Sequence, residues 1–317
     1  MDLVKLFLLG ALAAAVAAGQ SSQQLAESGH CREALPLLKA ELAKATAADV
    51  QKRLGVDGVR CGMTLDDLDA TLDFLRGLNR NFPGDAEVLY LSVHVFSDLS
   101  IRSSHKLMVS APTAYQVHEL NAEALETQGK WSDAEAEYRE VLKRDPQLPG
   151  IHYRIARLLL SAPPDTPVNG DAQAAPPDVK GAARRELEEE LKIDPNNAGA
   201  EYVLGELARQ EGKDAAAIDH FSRATKLDAG FADAFIGLGR TFLTDNRAAD
   251  AIQPLETAIK LDPGSPIAHF SLATAYSRAG RKADAQREFK LLKETSEKLE
   301  QTKQQVRQGI AGAPPQP

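Results

Sequence analysis

A 34-residue register in the second half of the chain constrains its fold more than any other feature. Asp194-Pro195 and Asp262-Pro263 lie 68 residues apart, twice 34, with Asp228-Ala229 at the midpoint. Leu204, Leu238 and Leu272 share the 34-residue spacing, as do Gly205, Gly239 and Ala273. So do Gly212, Asn246 and Gly280, then Ala217, Ala251 and Ala285, then Phe221, Leu255 and Phe289, then Leu227 and Leu261. Such self-similarity marks arrays whose units bury their apolar faces only by stacking on their neighbours. Apolar residues make up 43% of the chain and aromatics 5%. Helix formers dominate and runs of β-branched residues are scarce, which predicts an all-α chain.

Each period reads as two helices. Gly212, Asn246 and Gly280 suit a left-handed residue closing the first. Proline after aspartate closes the second, because it pushes the preceding residue out of the α region. Small residues let the two helices approach, and large apolar ones fill the space between successive units. Residues 115–148 carry the same signature in Ala122, Leu125, Gly129-Lys130-Trp131, Ala134, Tyr138 and Asp145-Pro146. Asp145 and Asp194 are 49 apart, which is 34 plus 15. The surplus falls in 161–180, where Pro163, Pro164, Pro167, Pro176 and Pro177 forbid a continuous helix and predict a disordered insert.

This pattern resembles the tetratricopeptide repeat family. A unit starting at Ala198 has Leu204-Gly205 at places seven and eight, Ala208 at eleven, Gly212 at the turn, Ala217 at twenty, Phe221 at twenty-four and Ala224 at twenty-seven. The resemblance implies a right-handed α-solenoid with five units between 113 and 295, at 115–148, 149–197, 198–231, 232–265 and 266–295. Residues 20–112 read as a degenerate version of the same helical repeats. Gly29-His30-Cys31-Arg32-Glu33-Ala34 with Leu38 looks like a turn and second helix, 66–79 like another second helix, and Phe82-Pro83-Gly84-Asp85 introduces a helix over 86–96. The polar, helix-prone stretch after Lys293 predicts a capping helix over 296–309 covering the open end. Residues 310–317 read as a disordered tail.

The N-terminus reads as a targeting segment. Lys5 precedes the apolar run 6–18, and Val16-x-Ala18 and Ala17-x-Gly19 offer small residues before Gln20-Ser21-Ser22-Gln23. Residues 1–19 are expected to be a signal peptide, with an uncleaved anchor or a cytosolic helix as alternatives. The apolar run is short for a membrane span, and no later segment reaches the roughly 18 apolar residues that a stable span needs. No cysteine ends the run, so a bacterial lipid anchor is not supported. A secreted or periplasmic location follows. In an oxidising compartment the two cysteines, Cys31 and Cys61, predict one disulfide; two separately buried thiols are the alternative. With no C-x-x-C, a redox role is not indicated.

Little in the sequence points to catalysis. His118-Glu119 begins like a zinc-protease helix, but the place of the second histidine holds Ala122. His118, His152 and His269 occupy place four of their units, a packing position. No phosphate loop, dinucleotide fingerprint or G-x-S-x-G is present. Glu188-Glu189-Glu190 reads as a solvated helix face. No cofactor and no metal are expected. The formal charge of −8, from 45 acidic and 37 basic residues, argues against nucleic acid as a partner.

In the family that this chain resembles, the first helix of each unit lines an inner, concave face at places two, five, six, nine, twelve and thirteen. The resemblance puts Tyr153, Arg154 and Arg157 there, then Tyr202, Glu206 and Arg209, then Ile236 and Arg240, then Phe270, Thr274 and Arg278. The unit before them presents Glu119, Glu123 and Glu126. Guanidinium forks pair with carboxylates, and aromatic faces bury apolar or cationic groups. The expected function is a non-catalytic protein-interaction scaffold in the cell envelope, whose groove binds a peptide or helix carrying Asp, Glu or a free C-terminus. Arginines that merely solvate the face or pair with neighbouring Glu are the alternative. A chaperone-type two-carboxylate clamp is not expected, because Glu119 and Glu123 stand where that clamp has Lys and Asn. The other readings are an enzyme or enzyme subunit with a site in 20–112, where His94, Asp98, Ser104 and His105 gather, and a purely structural spacer.

Overall fold

A computed structural model of the chain describes residues 21–162 and 178–311. The expected signal peptide, most of the insert and most of the tail lie outside them. The described residues form 15 helices and no strand, in two compact units, 1–112 and 113–317.

The first unit holds α1 (Ser22–Glu27), α2 (Cys31–Leu42), α3 (Ala48–Thr64), α4 (Leu68–Asn81) and α5 (Ala86–Ser110). Gly29, at φ +81°, turns α1 into α2, and Asp66, at φ 56°, turns α3 into α4. Gly55, Gly58 and Gly62 form one stripe of α3 facing α4. A Cβ on Gly58 would lie 2.4 Å from the Phe74 ring, and one on Gly62 would lie 2.8 Å from the Thr71 backbone nitrogen. Only glycine permits this approach. A disulfide joins Cys31 of α2 to Cys61 of α3, with Cα atoms 4.9 Å apart. Helix α5 buries Val88, Ser92 and Val95 and leaves Tyr90, Val93, Phe96 and Ile101 exposed.

The second unit is a solenoid of five helix pairs: α6 (Tyr115–Thr127) with α7 (Trp131–Arg144), α8 (Ile151–Ser161) with α9 (Val179–Ile193), α10 (Ala198–Gln210) with α11 (Asp214–Leu227), α12 (Ala232–Thr244) with α13 (Ala248–Leu261), and α14 (Pro266–Arg278) with α15 (Lys282–Ala311). Gly129, Gly212 and Gly280 turn between paired helices at φ +70°, +70° and +79°, and Asn246 does so at φ 60°. Ala134, Ala183, Ala217 and Ala251 are fully buried where paired helices touch, as are Tyr138, Leu187, Phe221 and Leu255 beside them. Phe221 fills the space that Gly205 and Gly237 leave open: a Cβ on either would lie 2.8 or 2.6 Å from its ring. In the fifth pair the equivalent Phe289 is 44% exposed. The segment expected as a separate capping helix over 296–309 is the continuation of α15, which runs unbroken for 30 residues.

Two local devices recur. Asp145, Asp194, Asp228 and Asp262 each end a second helix with the backbone near φ −130°. Their carboxylates accept from the amide two residues on, in Gln147, Asn196, Gly230 and Gly264, at 2.8–3.2 Å. Asp228 adopts this turn before alanine rather than proline, so the side-chain hydrogen bond suffices to set it. The second device links places four and twenty-three of a pair. His118 lies 2.6 Å from Glu137, His152 2.6 Å from Glu186, and His269 2.7 Å from Glu288. In the third pair the residues are exchanged, with Glu201 2.6 Å from His220. The fourth pair has Phe235 and Pro254 at these places. The three histidines expected to pack therefore also bind across the pair.

Glu190 departs from expectation. It is 0% exposed, not part of a solvated face with Glu188 and Glu189. It occupies place twenty-seven, where the other pairs have Val141, Ala224, Ala258 and Leu292. Its carboxylate accepts from the amides of Gly150 (2.7 Å) and Tyr153 (3.2 Å) and from Asn197 Nδ2 (3.1 Å). A buried carboxylate thus satisfies the open amides at the start of α8, which has no cap of its own.

Candidate functional site

The first helices of the pairs, α6, α8, α10, α12 and α14, bear two clefts. The larger, about 690 Å³, spans α10, α12 and α14. Arg209, Arg240, Ile267, Phe270, Thr274 and Arg278 line it, and none of its lining residues is acidic. Ile267 and Phe270 are each 55% exposed, large apolar side chains left in contact with water. Arg240 is exposed, and among the described residues no hydrogen bond or ion pair holds it. Arg278 donates from Nη1 to the Leu243 carbonyl at 2.7 Å, which ties α14 to the end of α12 and fixes the guanidinium in the cleft wall. Arg209 is committed locally: its Nε and Nη2 reach the two Glu206 oxygens at 3.2 and 2.7 Å. That hydrogen-bonded pairing, larger than the opposing effect of burial, holds the Arg209 pKa above its ordinary value.

The smaller cleft, about 420 Å³, has Trp131, Tyr153, Arg154, Arg157 and Glu126 in its walls. Arg154 lies 2.6 Å from Glu123 and 3.8 Å from Glu119 and donates to the Tyr138 hydroxyl at 3.2 Å. Burial raises the Tyr138 pKa to about 12, against the lowering influence of the Arg154 hydrogen bond. Arg157 is exposed and lies over the Tyr153 ring, 5.7 Å from its centroid. With Glu119, Glu123 and Glu126 nearby, this cleft is acid-rich.

The residues expected to line the inner face divide accordingly. Arg240, Phe270 and Arg278 meet in one cleft, and Tyr153, Arg154 and Arg157 in the other. Arg154 and Arg209 pair with glutamates of the same face, as the alternative reading had it. Tyr202 packs between the rings of Phe221 and Phe231, at 5.8 and 4.9 Å; burial is the main cause of its raised pKa. Ile236 is 8% exposed and belongs to the core, where it packs with the small Ala258 and Ala268. Ile267 and Trp131 are among the cleft residues that were missed. Ile267 occupies place two, one of the inner-face places, so the register already pointed to it. Trp131 begins a second helix, which place-counting on first helices overlooks.

The residues of the enzyme alternative do not converge. His94, Asp98, Ser104 and His105 all lie on α5, and 11 residues of helix separate the two histidines by roughly 16 Å. His94 meets the Tyr90 ring edge-on with centroids 4.3 Å apart, Asp98 pairs with Arg102 at 2.6 Å, and Ser104 donates to the Ser100 carbonyl at 2.9 Å. Among the described residues no His, Cys, Asp and Glu group could hold a metal ion, and no helix is long and apolar enough to cross a membrane.

Helix pairs stacked in a 34-residue register, with their first helices forming an open face, define a helical-repeat scaffold. The tetratricopeptide repeat family matches residues 119–178, 169–232 and 242–298, together more than half of the 317 residues. The chain belongs to that family and is a protein–protein interaction scaffold. No curated protein matches the sequence. Among solved structures, a double mutant of MamA RS-1 is similar at 16% identity and TM-score 0.50, over 58% of this chain and 96% of that one. A crystal structure of MamA has 25% identity and TM-score 0.48 over 58% and 92% of the two chains. MamA from Desulfovibrio magneticus RS-1 has 17% identity and TM-score 0.49 over 58% and 96%. The first of these likenesses supports the solenoid fold.

Proposed function

We propose that the chain is a non-catalytic scaffold of the cell envelope that captures a peptide or helix of a partner protein on the inner face of its five helix pairs. The observation that carries this reading is the larger cleft, where exposed Phe270 and Ile267 stand beside the unpaired Arg240. Exposed aromatic and aliphatic groups next to a guanidinium are the composition of a recognition surface rather than of a solvated face. The envelope location draws support from the expected signal peptide and from the Cys31–Cys61 disulfide, a bond that persists in oxidising compartments.

A photo-reactive benzoylphenylalanine at Phe270 should cross-link one dominant partner in the native envelope. The same group at Gln253, exposed on the second helix α13, should not. Equal cross-linking from both positions, or none from Phe270, would remove the inner face as the binding surface.

A further inference from the structure

We infer that the larger cleft is an anchor for a short peptide segment in which a carboxylate lies next to a large apolar side chain. This deepens the groove reading above and rests on it. The clefts of the second unit differ in charge. In the smaller, Arg154 is already bound by Glu119 and Glu123 and Glu126 adds a third acid, so an incoming carboxylate meets repulsion. In the larger, Glu206 is occupied by Arg209, no acid is among the lining residues, and among the described residues neither Arg240 nor Arg278 makes an ion pair, Arg278 being held by a backbone carbonyl. On a chain with a net charge of −8, this is a cationic spot with no acidic lining residue.

Each part of the cleft has a role in that recognition. Arg240, exposed and unpaired, offers its full fork to a carboxylate. Arg278 is held by the Leu243 carbonyl, so its charge is positioned before anything binds, which lowers the ordering cost of association. Ile267 and Phe270 provide an apolar platform one helix away, on α14. An apolar side chain laid there leaves water together with the exposed ring, so both partners gain from the same burial. A purely acidic segment would leave the platform wet, and a purely apolar one would leave the two guanidiniums unanswered. Polyanions such as nucleic acid are disfavoured by the chain's net charge of −8.

The test is to pan phage-displayed random dodecapeptides over the full chain. A fluorescein-labelled consensus peptide is then measured by anisotropy against the wild type, Arg240→Glu, Phe270→Ala, Arg157→Glu and, as a control off the inner face, Gln253→Glu. We expect enriched peptides to carry Asp or Glu beside Leu, Ile or Phe. Arg240→Glu and Phe270→Ala should each weaken binding at least tenfold, Arg157→Glu less than either, and Gln253→Glu on the second helix α13 less than threefold. Replacing the peptide's acid with lysine should restore binding to Arg240→Glu but not to the wild type. A merely structural role for Arg240 would not produce that exchange. Enriched peptides without acids, or binding indifferent to Arg240→Glu, would overturn the anchor. If Arg157→Glu then abolished binding, the groove reading would stand without it. No enrichment above bare support would overturn both.

Discussion

Glu190 shows how one residue can be placed by helix phase yet be unreadable in purpose. Ala183, Leu187 and Glu190 are spaced to share one face of α9, and the first two are buried. Phase alone therefore points Glu190 inward, although its acidic neighbours suggest a wet surface. The Gly150 and Tyr153 amides that receive it lie about 40 residues away in sequence, and no local pattern reveals them. Glu190→Ala would leave those amides without an acceptor and should lower stability by about 1–3 kcal/mol in urea unfolding, with Glu190→Gln losing less. Glu201 makes a pH-dependent contribution. Burial pushes its carboxyl up, but the hydrogen bond from His220 and the charges of Arg223 and His220 outweigh this and hold it below its ordinary value of 4.5. Its contribution is complete above that value and is lost as pH falls through the lower folded-state value. Glu201→Gln should flatten the acid limb of a stability-versus-pH curve, roughly from pH 5 downward, with little change in the shape of the curve at neutral pH.

At the scale of elements, the turns carry much of the fold. The aspartate that closes each second helix was visible in the sequence, but proline was given the causal part. Asp228, followed by Ala229, places that part on the side-chain hydrogen bond. Asp228→Ala should therefore lower the urea midpoint more than Asp262→Ala, since Pro263 still keeps residue 262 extended; the difference should be about 1 kcal/mol. Close helix contact is equally specific. Gly237→Ala would drive a Cβ into the Phe221 ring at 2.6 Å and should cost about 1–3 kcal/mol, measured by thermal or urea unfolding. The glycine stripe at 55, 58 and 62 announces the same kind of contact between α3 and α4. It went unread because no repeat partner elsewhere in the chain drew attention to it.

At the scale of the molecule, legibility follows the register. The 34-residue spacing survives from α10 to α15 and, with one insertion, reaches back to α6. In the first unit the turn residues Gly29 and Asp66 are 37 apart, and Asp66 has no glycine to mark the left-handed turn. Helices there are visible from their amphipathic phase, but their pairing is not. The inner face was legible as places, since the first helices keep their register. Which of its arginines remain free was not, because Arg154 is neutralised from the preceding pair. Reduction of the disulfide removes a cross-link closing a 30-residue separation and should destabilise the first unit by roughly 3–4 kcal/mol. The Cys31→Ser/Cys61→Ser variant should show this as an earlier unfolding step, with the transition of residues 113–311 unchanged.

The uncovered Phe289 has a consequence in time as well as in space. In a linear stack each pair is held only by its neighbours, so opening events start where one neighbour is missing. Beyond Phe289, α15 carries mostly exposed side chains to residue 305, and an isolated helix of that kind closes and reopens on the microsecond scale. Backbone amides of α15 past residue 295 should exchange with deuterium at least a hundredfold faster than those of α11 and α12, with protection rising stepwise from α15 back toward α11.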